Sequence, residues 1–94
     1  MAVAVEMNFK GATLGQYDQV LELMGLTGDA SAPPGAIFHW AAETDDGLRV
    51  VDVWETREAY DRFAQEQIGP YSQQVGITAP PETTYHEVHN TLSA

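Results

Sequence analysis

The sequence predicts an α+β domain of the ferredoxin-like kind, in which β-α-β-β-α-β builds a four-stranded antiparallel sheet with its helices on one face. Three observations carry this. Ala2–Phe9 and Thr83–Asn90 read as strands at the two ends of the chain. Two segments between them repeat apolar residues at helical spacing. At the centre, an apolar run, the turn sequence Asp45-Asp46-Gly47 and a second apolar run form a hairpin that leads directly into the second helix.

In the first strand Val3, Val5, Met7 and Phe9 alternate with Ala4, Glu6 and Asn8, so one face is firmly apolar. Lys10-Gly11-Ala12 ends it. Thr13 and Gln16 have the spacing of a capping box, and Leu14, Tyr17, Val20, Leu21 and Met24 form the apolar stripe of the helix that follows. Gly28–Gly35, with Pro33-Pro34, is a connection. Strand two covers Ala36–Glu43 and strand three Leu48–Trp54. A tight turn at Asp46-Gly47 sets His39 opposite Trp54, whereas a four-residue loop sets it opposite Asp52. Thr56 caps the second helix, whose buried stripe is Tyr60, Phe63, Ala64 and Ile68. Gly69-Pro70 is expected to stop it, with Tyr71–Val75 adding one short turn. Right-handed crossovers make the first and third strands central.

Either hairpin register sorts the side chains in the same way. Phe38, Trp40, Val51 and Val53 form a wholly apolar face, expected beneath the helices. Ile37, His39, Ala41, Val50, Asp52 and Trp54 form a mixed face, expected to join Ala4, Glu6 and Asn8 on the far side of the sheet. Neither a solvated face nor a dry core suits that mixture. The expectation is a partly enclosed cavity made by two subunits placed sheet to sheet.

The chain has 94 residues, which allow one domain over 1–94. It has no cysteine, so neither disulfides nor thiolate chemistry enters, and packing or self-association must stabilise a modest core. Four basic against fourteen acidic residues give a formal charge of -10. That field opposes nucleic acid and anionic membrane as partners. The opening residues lack the basic and apolar regions of a signal peptide, and no run approaches the ~20 apolar residues of a membrane span. The expected location is cytoplasmic. No glycine-rich phosphate loop occurs, and His86 and His89 fall on opposite faces of a regular strand, so neither a nucleotide cofactor nor a metal is expected.

The Ile37-x-His39 strand after a glycine, the Asp52-Val53-Trp54 strand end, Tyr60-x-x-Phe63, Gly69-Pro70 and Val88-His89-Asn90 together resemble the dimeric α/β-barrel superfamily. Within it they are most similar to the antibiotic biosynthesis monooxygenase-like group. The resemblance spans about Val3 to Asn90 and implies a homodimer. It also implies a choice among cofactor-free quinone-forming oxygenases, haem-degrading enzymes, cyclases and isomerases. Haem degradation in this superfamily uses a helical histidine, and neither helix here has one. The leading expectation is a cofactor-independent oxygenase-like enzyme acting on an aromatic or polyketide-like molecule. A non-catalytic binding or cyclase-like dimer and a structural or regulatory dimer are the alternatives, and flavin from a partner reductase stays open. The candidate catalytic set is His39, Asp52 and Trp54: an imidazole oriented by a carboxylate to take a phenolic proton, and an indole to stack on the ring. Glu6, Asn8, Ile37 and Tyr71 are the candidate substrate contacts.

Overall fold

The structure, a computed structural model, describes residues 1–28 and 32–92. The elements run β1 (Val3–Lys10), α1 (Leu14–Met24), β2 (Ala36–Thr44), β3 (Gly47–Trp54), α2 (Arg57–Phe63), a π-helical turn (Ala64–Ile68), α3 (Gly69–Gln74) and β4 (Glu82–Glu87). All four strands join one antiparallel sheet in the order β2-β3-β1-β4. The first and third strands are therefore central, as right-handed crossovers require. Residues 29–31 of the expected Gly28–Gly35 connection lie outside the described residues.

Local chemistry accounts for the element ends. The Thr13 hydroxyl accepts from the Gln16 N–H at 3.1 Å, and the Gln16 side-chain oxygen accepts from the Thr13 N–H at 3.0 Å, closing the capping box of α1. Thr56 Oγ1 accepts from the Ala59 N–H at 3.1 Å and starts α2. In the hairpin, Thr44 pairs with Gly47 across Asp45-Asp46, and His39 falls opposite Asp52. This is the register expected for the longer loop, with the strands running closer to the turn.

The second helix does not stop at Gly69-Pro70. Proline lacks an N–H, and its ring would meet the carbonyl one helical turn earlier. The chain widens instead: the Gly69 N–H reaches back five residues to the Ala64 carbonyl, and helix resumes through Gln74. The resumption turns Ser72 inward, where it is buried. The Gln16 side-chain amide donates to the Val75 carbonyl at 3.2 Å and ties α1 to the end of this helix.

The first strand faces as expected, but the two faces of the hairpin are reversed from the expectation. Residues directly opposite in an antiparallel pair point to the same side. Val5 is opposite Asp52 and Met7 opposite Val50, so the apolar stripe of β1 shares its side with Asp52, Trp54 and His39. That side lies under the helices and holds Val3, Val5, Met7, Phe9, Leu48, Val50 and Trp54, all buried. Phe38 and Trp40 occupy the open face and are 57% and 41% exposed. Ala4, Glu6 and Asn8 share that open face with Val51 and Val53. Apolarity alone does not decide which hairpin face is buried. Asp52 can lie on the buried side because both of its oxygens are hydrogen-bonded there. Among the described residues no helix is long and apolar enough to cross a membrane.

Candidate functional site

A cavity of about 410 Å³ lies between the sheet and the helices, which is within the size range of small-molecule sites. It belongs to one chain. It is not the sheet-to-sheet space that the face reading anticipated. Met7, Phe9, Val20, Leu48, Val50 and Phe63 supply much of an apolar wall, and one polar corner interrupts it.

That corner is a continuous hydrogen-bonded chain. Asp52 is buried at 5% exposure on β3. Its Oδ2 accepts from the Trp54 indole N–H at 3.1 Å, and its Oδ1 pairs with His39 Nδ1 on β2 at 2.5 Å. His39 Nε2 in turn meets the Tyr17 hydroxyl of α1 at 2.5 Å. The tyrosine and imidazole rings lie nearly parallel, 6° apart in plane, with centroids 5.9 Å apart. Two adjacent strands position His39 against Asp52, while residues two apart on one strand bring Trp54 onto the same carboxylate.

The hydrogen-bond directions follow from the residue types. An ionised carboxylate only accepts, so His39 presents Nδ1–H to Asp52. In the neutral imidazole Nε2 is then an acceptor, and the Tyr17 O–H donates to it. Burial, followed by the Asp52 and Asp18 charges, pushes the Tyr17 hydroxyl above its ordinary range and keeps it protonated. An aromatic cluster backs the corner: Trp54 packs on Phe63 with centroids 5.1 Å apart and edge-on to Tyr60 at 5.9 Å. The buried Tyr60 hydroxyl donates to Met7 Sδ at 3.2 Å. Tyr60 is also raised, by burial first and by neighbouring tyrosine and carboxylate charge second.

The candidate residues divide accordingly. His39, Asp52 and Trp54 come together on the cavity wall. Ile37 lines the rim, as the extra residue of an irregularity between Ala36 and Phe38. Glu6 and Asn8 do not reach the cavity. They lie across the sheet, where the Asn8 amide donates to Glu6 at 3.3 Å and accepts from the Arg49 guanidinium at 2.8 Å. Tyr71 is not part of the lining, because the continued helix brings Ser72 inward in its place. Tyr17 is the residue that the sequence reading placed only in the α1 packing stripe. Its signal was a hydroxyl-bearing side chain on a stripe that faces a histidine-bearing strand. His86 sits on the open face opposite Ala4, and no cluster of three or more His, Asp or Glu side chains suited to a metal occurs among the described residues.

No family model matches the chain, and no curated protein matches it. Solved structures share its fold. Rv0793 from Mycobacterium tuberculosis aligns at TM-score 0.69 and 21% identity, over 99% of this chain and 100% of that one. A candidate antibiotic biosynthesis monooxygenase from Chloroflexus aurantiacus aligns at 0.62 and 18%, over 99% and 98%. SnoaB, a cofactor-independent oxygenase from Streptomyces nogalater, aligns at 0.61 and 17%, over 99% and 97%. The resemblance read from the sequence is thus met at the level of the fold.

Proposed function

We propose that this protein is a cofactor-independent oxygenase acting on an aromatic, polyketide-like molecule that carries a phenolic hydroxyl, and that it works as a cytoplasmic homodimer. The observation that carries the reading is the Tyr17–His39–Asp52–Trp54 chain, set as the polar corner of an otherwise apolar cavity. The fold shared with SnoaB supports the oxygenase class. Apolar walls accept a fused ring system, and the polar corner accepts its proton. His39 serves as general base, with Asp52 holding its tautomer and Trp54 holding Asp52. The resulting phenolate is electron-rich enough to transfer electrons to oxygen. A phenol with a free para position plus O₂ gives a para-quinone plus water, which balances without an added reductant.

Oxygen uptake with 1-naphthol, read together with 1,4-naphthoquinone formation, tests this. A positioned general base contributes roughly 100-fold or more to such a step, so His39→Ala should lower turnover by that order while leaving binding in place. Asp52→Asn should act through the tautomer. An amide N–H facing Nδ1 makes Nδ1 the acceptor, moves the proton to Nε2 and removes the base. Turnover that is unchanged in both variants would take this corner out of the mechanism. Wild type that binds 1-naphthol without consuming oxygen would leave only a binding protein.

A further inference from the structure

We propose that Tyr17 is the residue that touches the ligand in this corner, and that its hydroxyl oxygen selects a ligand able to donate an O–H. The inference rests on the cavity being a ligand site, as proposed above.

The hydrogen-bonding groups of the chain are largely taken up by one another. Both His39 ring nitrogens are committed, Nδ1 to Asp52 and Nε2 to Tyr17. Both Asp52 oxygens are committed, to His39 and to Trp54. A bound molecule therefore finds no free acceptor on the imidazole, and the spare lone pairs of Asp52 belong to a carboxylate that is only 5% exposed. The Tyr17 oxygen, having donated its proton to Nε2, still carries lone pairs. Tyr17 is half-buried and lines the cavity. Each hydrogen bond in the chain points toward Asp52, so the outer end offers an acceptor. A ligand hydroxyl completes the chain, whereas an ether or carbonyl oxygen meets another oxygen.

The same geometry gives the route of the proton. The ligand O–H passes its proton to Tyr17 Oη as the Tyr17 proton passes to His39 Nε2. A ligand oxyanion and an imidazolium result, with Asp52 still a carboxylate and no proton gained or lost. The reluctance of Tyr17 to ionise favours the two transfers moving together over a free tyrosinate. After transfer the two outer hydrogen bonds are reversed: His39 Nε2–H donates to Tyr17, and Tyr17 donates to the ligand oxyanion. None of the chain's four basic residues lines the cavity, so a carboxylate-bearing ligand has no cation to meet there. That favours a neutral hydroxyl as the group presented.

Calorimetric titration of the full chain with 1-naphthol and with 1-methoxynaphthalene, which has the same ring but no O–H, tests the proposal. Wild type should bind 1-naphthol roughly three- to tenfold more tightly, the value of one net hydrogen bond. Tyr17→Phe, which keeps the ring and its packing, should bind the two probes equally by losing naphthol affinity. A preference kept undiminished in Tyr17→Phe, where Nε2 is freed but lies one hydroxyl farther from the ligand, would show that the imidazole is the contact and overturn the proposal. Equal binding of both probes by wild type would overturn it as well. Failure of wild type to bind either probe would remove both this proposal and the ligand-site reading. That preference without oxygen uptake would remove the oxygenase reading alone.

Discussion

Asp52 and Tyr60 place ionisable groups beneath the helices by different means. Asp52 has a hydrogen-bond partner on each of its two oxygens. Tyr60 keeps its proton and donates a hydrogen bond to a sulfur atom. The second solution has a consequence at high pH. The native Tyr60 hydroxyl ionises above its ordinary value of about 10, while the unfolded chain ionises at that value. Below pH ~10 both states hold the proton and stability is unaffected. Above it the unfolded state releases the proton first, so stability falls as pH rises, by at most about 1.4 kcal/mol per pH unit for this one group. Urea unfolding at pH 8 and pH 11 should show that loss in the wild type and a smaller loss in Tyr60→Phe. Equal losses would mean that Tyr60 reaches solvent in the folded state. At this scale the sequence made His39, Asp52 and Trp54 legible as a group, because adjacent strands of a hairpin must bring them near one another. It did not make legible the side on which they lie. Apolar pattern ranks faces by composition, and a carboxylate whose partners come from elsewhere in the chain looks like a surface residue until those partners are known. Tyr17 was hidden for the complementary reason: a tyrosine on a helical stripe reads as packing, and its hydroxyl matters only once His39 is seen opposite it.

Among the elements, the hairpin is fixed more by its contact with β1 than by its own turn. Gly47 pairs with Lys10 at the end of the β1–β3 ladder. The Gly11 N–H donates to the Asp46 carbonyl at 2.7 Å and ties the turn to the start of the first crossover. A Cβ on Gly47 would stand 2.1 Å from the Phe9 carbonyl oxygen and 2.8 Å from the Gly11 nitrogen. Both are backbone atoms and cannot swing aside. Gly47→Ala should therefore destabilise the fold by roughly 1–3 kcal/mol, seen as a lower urea midpoint at unchanged slope. A midpoint unmoved by the substitution would place Gly47 away from β1 and reopen the register that sets His39 opposite Asp52. Element identity was readable from caps, turn residues and periodicity, as Thr13, Gln16 and Thr56 illustrate. The run through Gly69-Pro70 was not. A proline inside an apolar period reads as a stop, and the π-helical turn that carries the helix past it leaves no residue-level mark. That miss set Tyr71 at the cavity, where the structure has Ser72 in the lining.

For the molecule as a whole, the open sheet face is the feature that the helices leave unanswered. Phe38 and Trp40 present large apolar side chains there, beside Val51, Val53 and Ala4. The homodimer proposed above would bury this surface, and the polar Glu6–Asn8–Arg49 strip next to it would lie at the same junction. Two terms then oppose each other. Apolar burial favours association at roughly 25 cal/mol per Å² removed from water. Two protomers each with a formal charge of -10 repel. Raising NaCl from ~10 mM to ~150 mM shortens the screening length from about 30 Å to about 8 Å, which weakens the repulsion and leaves the apolar term largely in place. Sedimentation equilibrium at micromolar concentration should therefore find a dimer whose dissociation constant falls as salt rises. Trp40→Glu, which replaces an apolar contact by a further negative charge on each protomer, should give monomer at both salt concentrations. Because Trp40 lies across the sheet from the cavity, that variant should still bind 1-naphthol. A wild-type monomer at both salt concentrations would remove the dimer from the proposed function. A dimer insensitive to Trp40→Glu would move its interface to another surface.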